Sequence, residues 1–140
     1  MTNRRMDEII RHQHPVTMPA TMSVRDACGE MLNRRIGAIL VTDAKGALAG
    51  IFTGRDLVRI VSDGQDPAAT TLRAAMTKEP STMPPGQHAI DALRVMRDGG
   101  FRHIPVIDGD KIVGVVSRGD FRGLEQDRLD EETGYWERIG

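Results

Sequence analysis

Residues 50–56 read GIFTGRD, and residues 114–120 read GVVSRGD. Each stretch consists of a glycine, two apolar residues, a hydroxyl residue, two spacer residues and an aspartate. An apolar run that enters a hydroxyl residue, with a carboxylate three positions later, predicts a strand that passes directly into a capped helix. The two copies lie 64 residues apart, which indicates that one structural unit occurs twice in the chain.

The repetition continues on the N-terminal side of both stretches. Residues 15–19 (PVTMP) correspond to residues 80–84 (PSTMP) at a spacing of 65. The spacing drops to 64 because the first hairpin turn is one residue longer than the second. A length change confined to a turn is typical of two copies of one structure. Each copy of about 60 residues would be marginally stable alone, so we expect the copies to pack on each other.

Composition and charge exclude several classes of protein. The 140 residues are 39% hydrophobic and 28% charged, with a net charge of −1, so no bulk charge favours binding to nucleic acid or to an anionic membrane. No apolar stretch has the length of a signal peptide core or a membrane span. The single cysteine, Cys28, cannot form a disulfide within the chain. We expect a soluble cytoplasmic protein.

Hydrophobic periodicity and turn residues predict the order of elements. The first repeat is assigned to residues 6–62, a linker to 63–71, the second repeat to 72–124 and a charged tail to 125–140. Helices are predicted at 6–11, 23–34, from 53, at 72–76, 89–97 and 118–124, strands at 38–41, 48–52, 103–107 and 111–116, and extended pieces at 16–18 and 81–83.

Two of these helices have a clear apolar side. The helix at 23–34 is expected to be stopped by Gly37. Its apolar side is expected to consist of Val24, Ala27, Cys28, Met31 and Leu32. The apolar side of the helix after Thr53 is expected to consist of Leu57, Val58, Ile60 and Val61.

The doubled motif and the strand at residues 104–108 (IPVID) resemble the CBS domain pair, the regulatory module named after cystathionine β-synthase. The resemblance covers roughly residues 6–124. It implies an α/β (α+β) fold of two pseudo-symmetric βαββα units packed sheet to sheet, a Bateman module, with two related clefts between the units. The first repeat departs from the pattern, because residues 39–41 read ILV where the second repeat has IPV.

The same resemblance implies a ligand and a mode of action. CBS clefts bind adenosine-type regulatory ligands such as AMP, ADP, ATP or S-adenosylmethionine, and no further cofactor is required. The modules often dimerise into a disc. A homodimer, an adenosine-type small molecule and an unidentified regulated protein are therefore the expected partners, and no nucleic acid or membrane is expected.

The motif residues have two interpretations. Thr53 with Asp56, and Ser117 with Asp120, could be helix caps only. Alternatively, free amides and the positive dipole end of a helix suit a phosphate, while a carboxylate can accept hydrogen bonds from both hydroxyls of a ribose. The CBS resemblance implies that Asp56 and Asp120 hold ribose and that Thr53 and Ser117 lie beside the ribose and phosphate.

A basic pair marks the second repeat alone. Arg102 and His103 precede the second strand, where the first repeat has Gly37 and Ala38. The pair could neutralise phosphate, or it could be a solvated strand edge. The same two interpretations apply to Arg118, which directly follows Ser117, and less strongly to Arg55 in the first repeat. By resemblance, the remaining ligand-binding candidates are Ile104, Pro105, Val16, Thr17, Ser81 and Thr82.

We therefore expect a stand-alone, non-catalytic sensor of adenosine-type nucleotides. The alternative is a structural or interaction protein in which the motifs serve only as caps. An enzyme is the least favoured class, since no Ser/His/Asp order, metal cluster or phosphate-binding glycine loop of known type is visible. His12 and His14 lack further ligands at metal-binding spacing. The tail aromatics Tyr135 and Trp136 are expected to dock on this chain or on a second copy.

Overall fold

The computed structural model describes residues 4–121, which form two compact units. The first unit is Pro15–Pro80, and the second combines residues 4–14 with residues 81–121. The elements, in chain order, are α1 Met6–Ile9, β1 Thr17–Pro19, α2 Val24–Arg34, β2 Ala38–Thr42, β3 Leu48–Thr53, α3 Gly54–Ser62, α4 Leu72–Ala75, β4 Thr77–Lys78, α5 Ala89–Gly99, β5 His103–Asp108, β6 Lys111–Ser117 and a 3-10 turn Arg118–Asp120.

The first unit is a four-stranded sheet with helices packed on it. The strand order is β1-β2-β3-β4, with β1 parallel to β2 and the other neighbours antiparallel. Its core contains apolar residues from every helix of the unit and from the three longer strands, among them Val24, Val41, Phe52, Ile60 and Leu72. The predicted elements of this unit are present, with bounds that differ by one or two residues.

Helix α2 begins and ends as the sequence predicts, with Arg34 as its last residue. The Ser23 hydroxyl caps it by accepting a hydrogen bond from the Asp26 amide at 3.1 Å. The residue that stops the helix is Arg35 and not the predicted Gly37, because Arg35 adopts the left-handed conformation, with φ of 55°. The Arg35 amide then bonds to carbonyls of the last turn, which is how helices commonly end.

The predicted apolar sides of α2 and α3 are too wide. Val24 and Ala27 are fully buried, but Leu32 is 80% exposed. At ~100° per residue, Leu32 lies about 140° round the helix from Ala27 and cannot share its face. On α3, Ile60 is buried, whereas Val58 and Val61 are 68% and 61% exposed for the same geometric reason.

The second unit is built on the β5–β6 hairpin. Helix α5 packs on it, and Met83 pairs in parallel with Val106 in the way that β1 pairs with β2. Gly100 ends α5 in the left-handed conformation, as the Gly99–Gly100 pair predicts. The core of this unit includes Met6, Leu93, Met96, Ile104 and Phe121.

The two shortest helices are exchanged between the repeats. Helix α1 precedes the first repeat but belongs to the second unit, where the Met6 amide bonds to the Gln87 carbonyl at 2.8 Å. Helix α4 precedes the second repeat but belongs to the first unit, where the Leu72 amide bonds to the Met22 carbonyl at 2.8 Å. Met6 and Leu72 are both fully buried. The chain therefore crosses between units near residues 14 and 80, and not in the segment 63–71.

The segment 63–71 is part of the first unit and not a free linker. Its Thr70 carbonyl accepts a hydrogen bond from the Val24 amide at 2.8 Å, and the Pro67 carbonyl accepts one from Arg25 at 3.1 Å. These carbonyls satisfy the first amides of α2, which lack partners within the helix. The predicted helix 118–124 is described only as its opening 3-10 turn. The remainder, the tail 125–140, Tyr135 and Trp136 lie outside the described residues.

The two hairpins share their register in detail. Ala38 pairs with Thr53 in the first unit, and His103 pairs with Ser117 in the second. Each ladder has an irregularity at the equivalent point, after Val41 and after Val106. The hydroxyl residue of each motif therefore ends one strand beside the first residue of its partner strand. None of the helices described in residues 4–121 is long and apolar enough to cross a membrane.

Candidate functional site

The first motif folds into a reciprocal helix cap. The Asp56 carboxylate accepts hydrogen bonds from the Thr53 amide at 2.9 Å and from the Thr53 hydroxyl at 3.2 Å, both on Oδ2. The Thr53 side chain in turn accepts from the amide at the third helical position, which completes a capping box at the start of α3. The predicted junction of strand and capped helix is confirmed.

The second oxygen of Asp56 is also engaged. Its Oδ1 accepts from the Thr77 hydroxyl at 3.0 Å and lies 3.3 Å from Nη2 of Arg59. Arg59 donates from the same nitrogen to the Ala75 carbonyl at 2.6 Å. Asp56 is only 5% exposed. Both carboxylate oxygens are therefore engaged, Oδ2 in the cap and Oδ1 in the contacts that join α3 to β4 directly and to α4 through Arg59.

The second motif makes the same cap with fewer additional contacts. Asp120 Oδ2 accepts from the Ser117 amide at 2.7 Å and from the Ser117 hydroxyl at 3.3 Å. Asp120 is half-buried, and among residues 4–121 no hydrogen-bond donor contacts its Oδ1. The Arg4 guanidinium donates to the Asp120 backbone carbonyl at 3.0 Å, which ties the N-terminal segment to the motif.

Basic residues occupy the backbone positions around the second motif. His103 pairs with Ser117 across the hairpin, and the Arg118 amide donates to the Arg102 carbonyl at 2.8 Å. Burial lowers the pKa of His103, the neighbouring Arg102 charge lowers it further, and Asp120 acts in the opposite direction. His103 is therefore neutral near pH 7, and a phosphate placed beside it would favour the charged imidazolium.

The other predicted site residues occupy three kinds of position. Ile104 is fully buried in the core, and Pro105 is buried with its carbonyl accepting from the Met83 amide at 3.1 Å, so neither side chain faces solvent. Val16 is half-buried, and its carbonyl accepts from the Leu40 amide at 3.1 Å. The exposed residues are Thr17, Ser81, Thr82, Arg55 and Arg102.

A shallow cavity of about 610 Å³ lies between β1 and α2 in the first unit. Val16 and Thr17 line it together with charged residues of α2, including Arg25, Glu30 and Arg34. Neither Thr53 nor Asp56 lines this cavity. This cavity therefore does not bring Val16 and Thr17 together with Thr53 and Asp56, the other predicted site residues of the first repeat.

The described part of the chain offers neither a cluster of metal ligands nor an activated cysteine. Residues 4–121 contain no group of three or more His, Cys, Asp or Glu side chains that could hold a metal ion. His12 and His14 are both exposed, and neither belongs to such a group. Burial raises the pKa of the Cys28 thiol, which disfavours the reactive thiolate.

Three contacts of the site are not among the sequence predictions. Arg59 stands three residues after Asp56 on α3, and this helical spacing is a signal that could have identified the pair. Thr77 reaches Asp56 from 21 positions away, and Arg4 reaches Asp120 from 116 positions away. No local pattern reports contacts at such separations.

Comparison with known proteins assigns the family. The CBS domain family matches the chain twice, at residues 7–63 and 72–126. A CBS domain-containing protein of Arabidopsis thaliana is 33% identical over 108 residues, which are 76% of this chain and 20% of that protein. A second is 33% identical over the same length, covering 76% of this chain and 19% of the relative. The chain thus spans about a fifth of the length of these relatives.

Solved structures share the fold. A CBS-domain protein from Agrobacterium tumefaciens superimposes with a TM-score of 0.77 at 33% identity, covering 86% of this chain and 91% of that one. A CBS domain protein from Pyrobaculum aerophilum, complexed with AMP, gives a TM-score of 0.82 at 23% identity, covering 91% of this chain and 98% of that one. With two matched domains and these structural relatives, the chain belongs to the CBS domain family, as a tandem pair in the Bateman-module fold.

Proposed function

We propose that this chain is a non-catalytic regulatory module that binds an adenosine-type nucleotide at the Ser117–Asp120 motif. The observation that carries the proposal is the Asp120 carboxylate, which has one oxygen in the cap and one without a donor among residues 4–121. Proteins of the same fold provide precedent. The Pyrobaculum protein is complexed with AMP, and a CBS domain pair from another protein is complexed with 5′-methylthioadenosine and S-adenosylmethionine.

The chemistry of the motif suits a ribose. Asp120 Oδ1 can accept hydrogen bonds from the 2′- and 3′-hydroxyls, and such bonds to an ionised carboxylate are stronger than neutral ones. Oδ2 keeps the Ser117 cap in place, so the carboxylate is already oriented before the ligand arrives. This preorganisation lowers the entropic cost of binding.

The basic side chains supply the charge that a phosphate requires. His103 lies across the hairpin from Ser117, and the neighbouring residues Arg102 and Arg118 are joined by a backbone hydrogen bond. An adenosine ligand with one or more phosphates would interact with these groups, while the nucleoside alone would not. We therefore favour AMP, ADP or ATP over S-adenosylmethionine.

The module would act by a shift between conformations. A ligand changes such an equilibrium only if it binds one state more tightly than the other. The readout would be a contact with a second copy of the chain or with a regulated cytoplasmic partner. In this proposal the ligand is a signal and is released unchanged.

The alternative function is that of a structural or interaction protein whose motifs are caps alone. This interpretation is favoured by the completeness of both capping boxes, each of which satisfies its helix start without a ligand. A cap of this kind contributes about 1 kcal/mol to stability whether or not a nucleotide binds. Stability and binding must therefore be measured together.

Replacement of Asp120 by alanine separates the two functions. We expect Asp120→Ala to abolish AMP binding in a calorimetric titration, while circular dichroism shows a folded chain with a modestly lower melting temperature. Ser23→Ala is the matched control, because it removes a cap of the same spacing on α2 and should leave AMP affinity unchanged. An Asp120→Ala variant that binds AMP as the parent does would support the structural function.

A further inference from the structure

We infer that each chain binds one nucleotide, at Asp120 in the second unit, and that Asp56 in the first unit has a structural role and binds no ligand. We call Asp56 and its partners Thr53, Arg59 and Thr77 the latch. The inference rests on the proposed function and adds its stoichiometry. The two motifs are equivalent in sequence pattern and in their local cap, so the motifs alone predict two equivalent sites. The difference arises from contacts made by residues outside the motif.

The Asp56 carboxylate has no acceptor capacity directed to solvent. Oδ2 takes two hydrogen bonds from Thr53, and Oδ1 takes one from Thr77 and an ion pair from Arg59. The side chain of Asp56 is 7% exposed, whereas that of Arg59 is 49% exposed. The carboxylate is therefore the buried partner of this ion pair, and Arg59 is the partner that reaches solvent.

The partners of Asp56 are themselves fixed. Arg59 also donates to the Ala75 carbonyl at 2.6 Å, which anchors the guanidinium to the end of α4. Thr77 pairs with Ile51 in the sheet, and its carbonyl lies so close to Gly50 that an added Cβ there would be 2.7 Å away. A ribose at Asp56 would have to displace groups that α4 and β4 hold in place.

The second repeat lacks the corresponding residues. At the motif spacing of 64, the position of Arg59 is taken by Gly123, which has no side chain to offer. At the spacing that relates α4 to α1, the position of Thr77 is taken by Arg11, which is exposed. The sequence thus provides no equivalent of the Arg59 and Thr77 pair for Asp120.

The charge distribution points the same way. Arg102 and His103 stand at the start of the second hairpin, whereas the first hairpin has Gly37 and Ala38 there. A phosphate at the first motif would therefore lack the Arg102 charge and the titratable His103 imidazole that the second repeat provides. Latch and charge are independent observations, and both assign the nucleotide to Asp120.

Calorimetric titration of the intact chain with AMP tests the inference. We expect one AMP per chain. Asp120→Asn should weaken AMP binding at least tenfold, while Asp56→Asn should lower the melting temperature and leave the AMP affinity within threefold. Thr77→Val is the second test of the latch, because it removes one donor to Asp56 while the rest of the latch stays. It should also leave AMP affinity within threefold.

Each contrary result has a distinct meaning. Two AMP molecules per chain, or a loss of binding in Asp56→Asn or Thr77→Val that matches the loss in Asp120→Asn, overturns the single-site inference and leaves the nucleotide function standing. No binding of AMP, ATP or S-adenosylmethionine to the parent chain overturns the proposed function, and the inference falls with it. One AMP per chain that is lost only in Asp120→Asn supports both.

Discussion

Asp56 and Asp120 show how one residue type at one repeat position acquires two roles. Both accept the amide and the hydroxyl of the preceding Thr or Ser, a contact within four residues that the motif spacing predicts. Only Asp56 also contacts Arg59 and Thr77. The local cap was therefore predictable, whereas the contact with Thr77 depends on where the chain returns 21 residues later.

His103 gives a pH dependence whose sign follows from its surroundings. Because burial and Arg102 lower its pKa in the folded chain, the unfolded chain takes up the proton first as the pH falls. The contribution of His103 to stability is therefore complete above about pH 6.5, the ordinary histidine value, and is lost as the pH falls below it. We expect His103→Gln to reduce the loss of stability between pH 7.5 and 5.5.

Urea unfolding at these two pH values measures the effect. His12→Gln is the control, since His12 is exposed and its replacement should leave the pH dependence of unfolding unchanged. Equal declines in the parent chain and in His103→Gln would show that His103 is not the responsible group. AMP at saturating concentration should shift the decline to lower pH, because the proposed phosphate stabilises the charged imidazolium.

At the scale of elements, the hairpins and their glycines position both motifs. Gly114 on β6 faces Ile10, and a Cβ built there would be 2.6 Å from Ile10 Cγ2. Ile10 is 7% exposed and belongs to the core of the second unit, so it has little room to move. The absence of a side chain at residue 114 thus lets the segment after α1 pack against the hairpin.

Gly114→Ala should therefore destabilise the chain by ~1–3 kcal/mol, the usual cost of overpacking a core. Gly29→Ala is the matched control. Gly29 lies within α2, and a Cβ added to it would have no atom within 4 Å, so alanine there should stabilise by about 0.5–1 kcal/mol. Chemical denaturation of both variants decides the matter, and equal effects of the two substitutions would contradict the packing assigned to Gly114.

The type and position of the elements were more predictable from the sequence than the buried side of each helix. Alternation and turn residues located all four long strands, and Ser23, Thr53 and Gly100 marked helix ends correctly. The exposure of Leu32 was not predictable, because a run of apolar residues does not state how wide the buried stripe is. The stop at Arg35 was not predictable either, because a non-glycine residue adopts the left-handed conformation there.

At the scale of the whole molecule, the boundaries of the sequence repeats differ from the boundaries of the compact units. Helices α1 and α4 each complete the unit of the other repeat, through backbone bonds at equivalent positions such as Met6 to Gln87 and Leu72 to Met22. Self-similarity shows that two copies exist and does not show which copy a connecting helix joins. The tandem fold was therefore predictable, and the exchange of these helices was not.

The exchange places the N-terminal segment beside the proposed nucleotide site. Arg4 donates to the Asp120 carbonyl, and the Gln13 side chain accepts from the Val115 amide at 2.9 Å. Both ends of this segment thus contact β6 or the motif that follows it. In the first unit, the Asp56 contacts reach α4 and β4 instead, and the two repeats differ most where their exchanged helices meet the motifs.

Thermal unfolding of the intact chain with and without adenosine ligands tests the nucleotide function most directly. AMP, ATP, NADH and S-adenosylmethionine would each be added in excess. A ligand that binds only the folded chain, at about a hundred times its dissociation constant, adds ~2.7 kcal/mol of stability, which raises the melting temperature by several degrees. We predict such a rise with AMP or ATP in the parent chain and none in Asp120→Ala. An unchanged melting temperature with all four ligands would contradict the assignment of this chain as a nucleotide sensor.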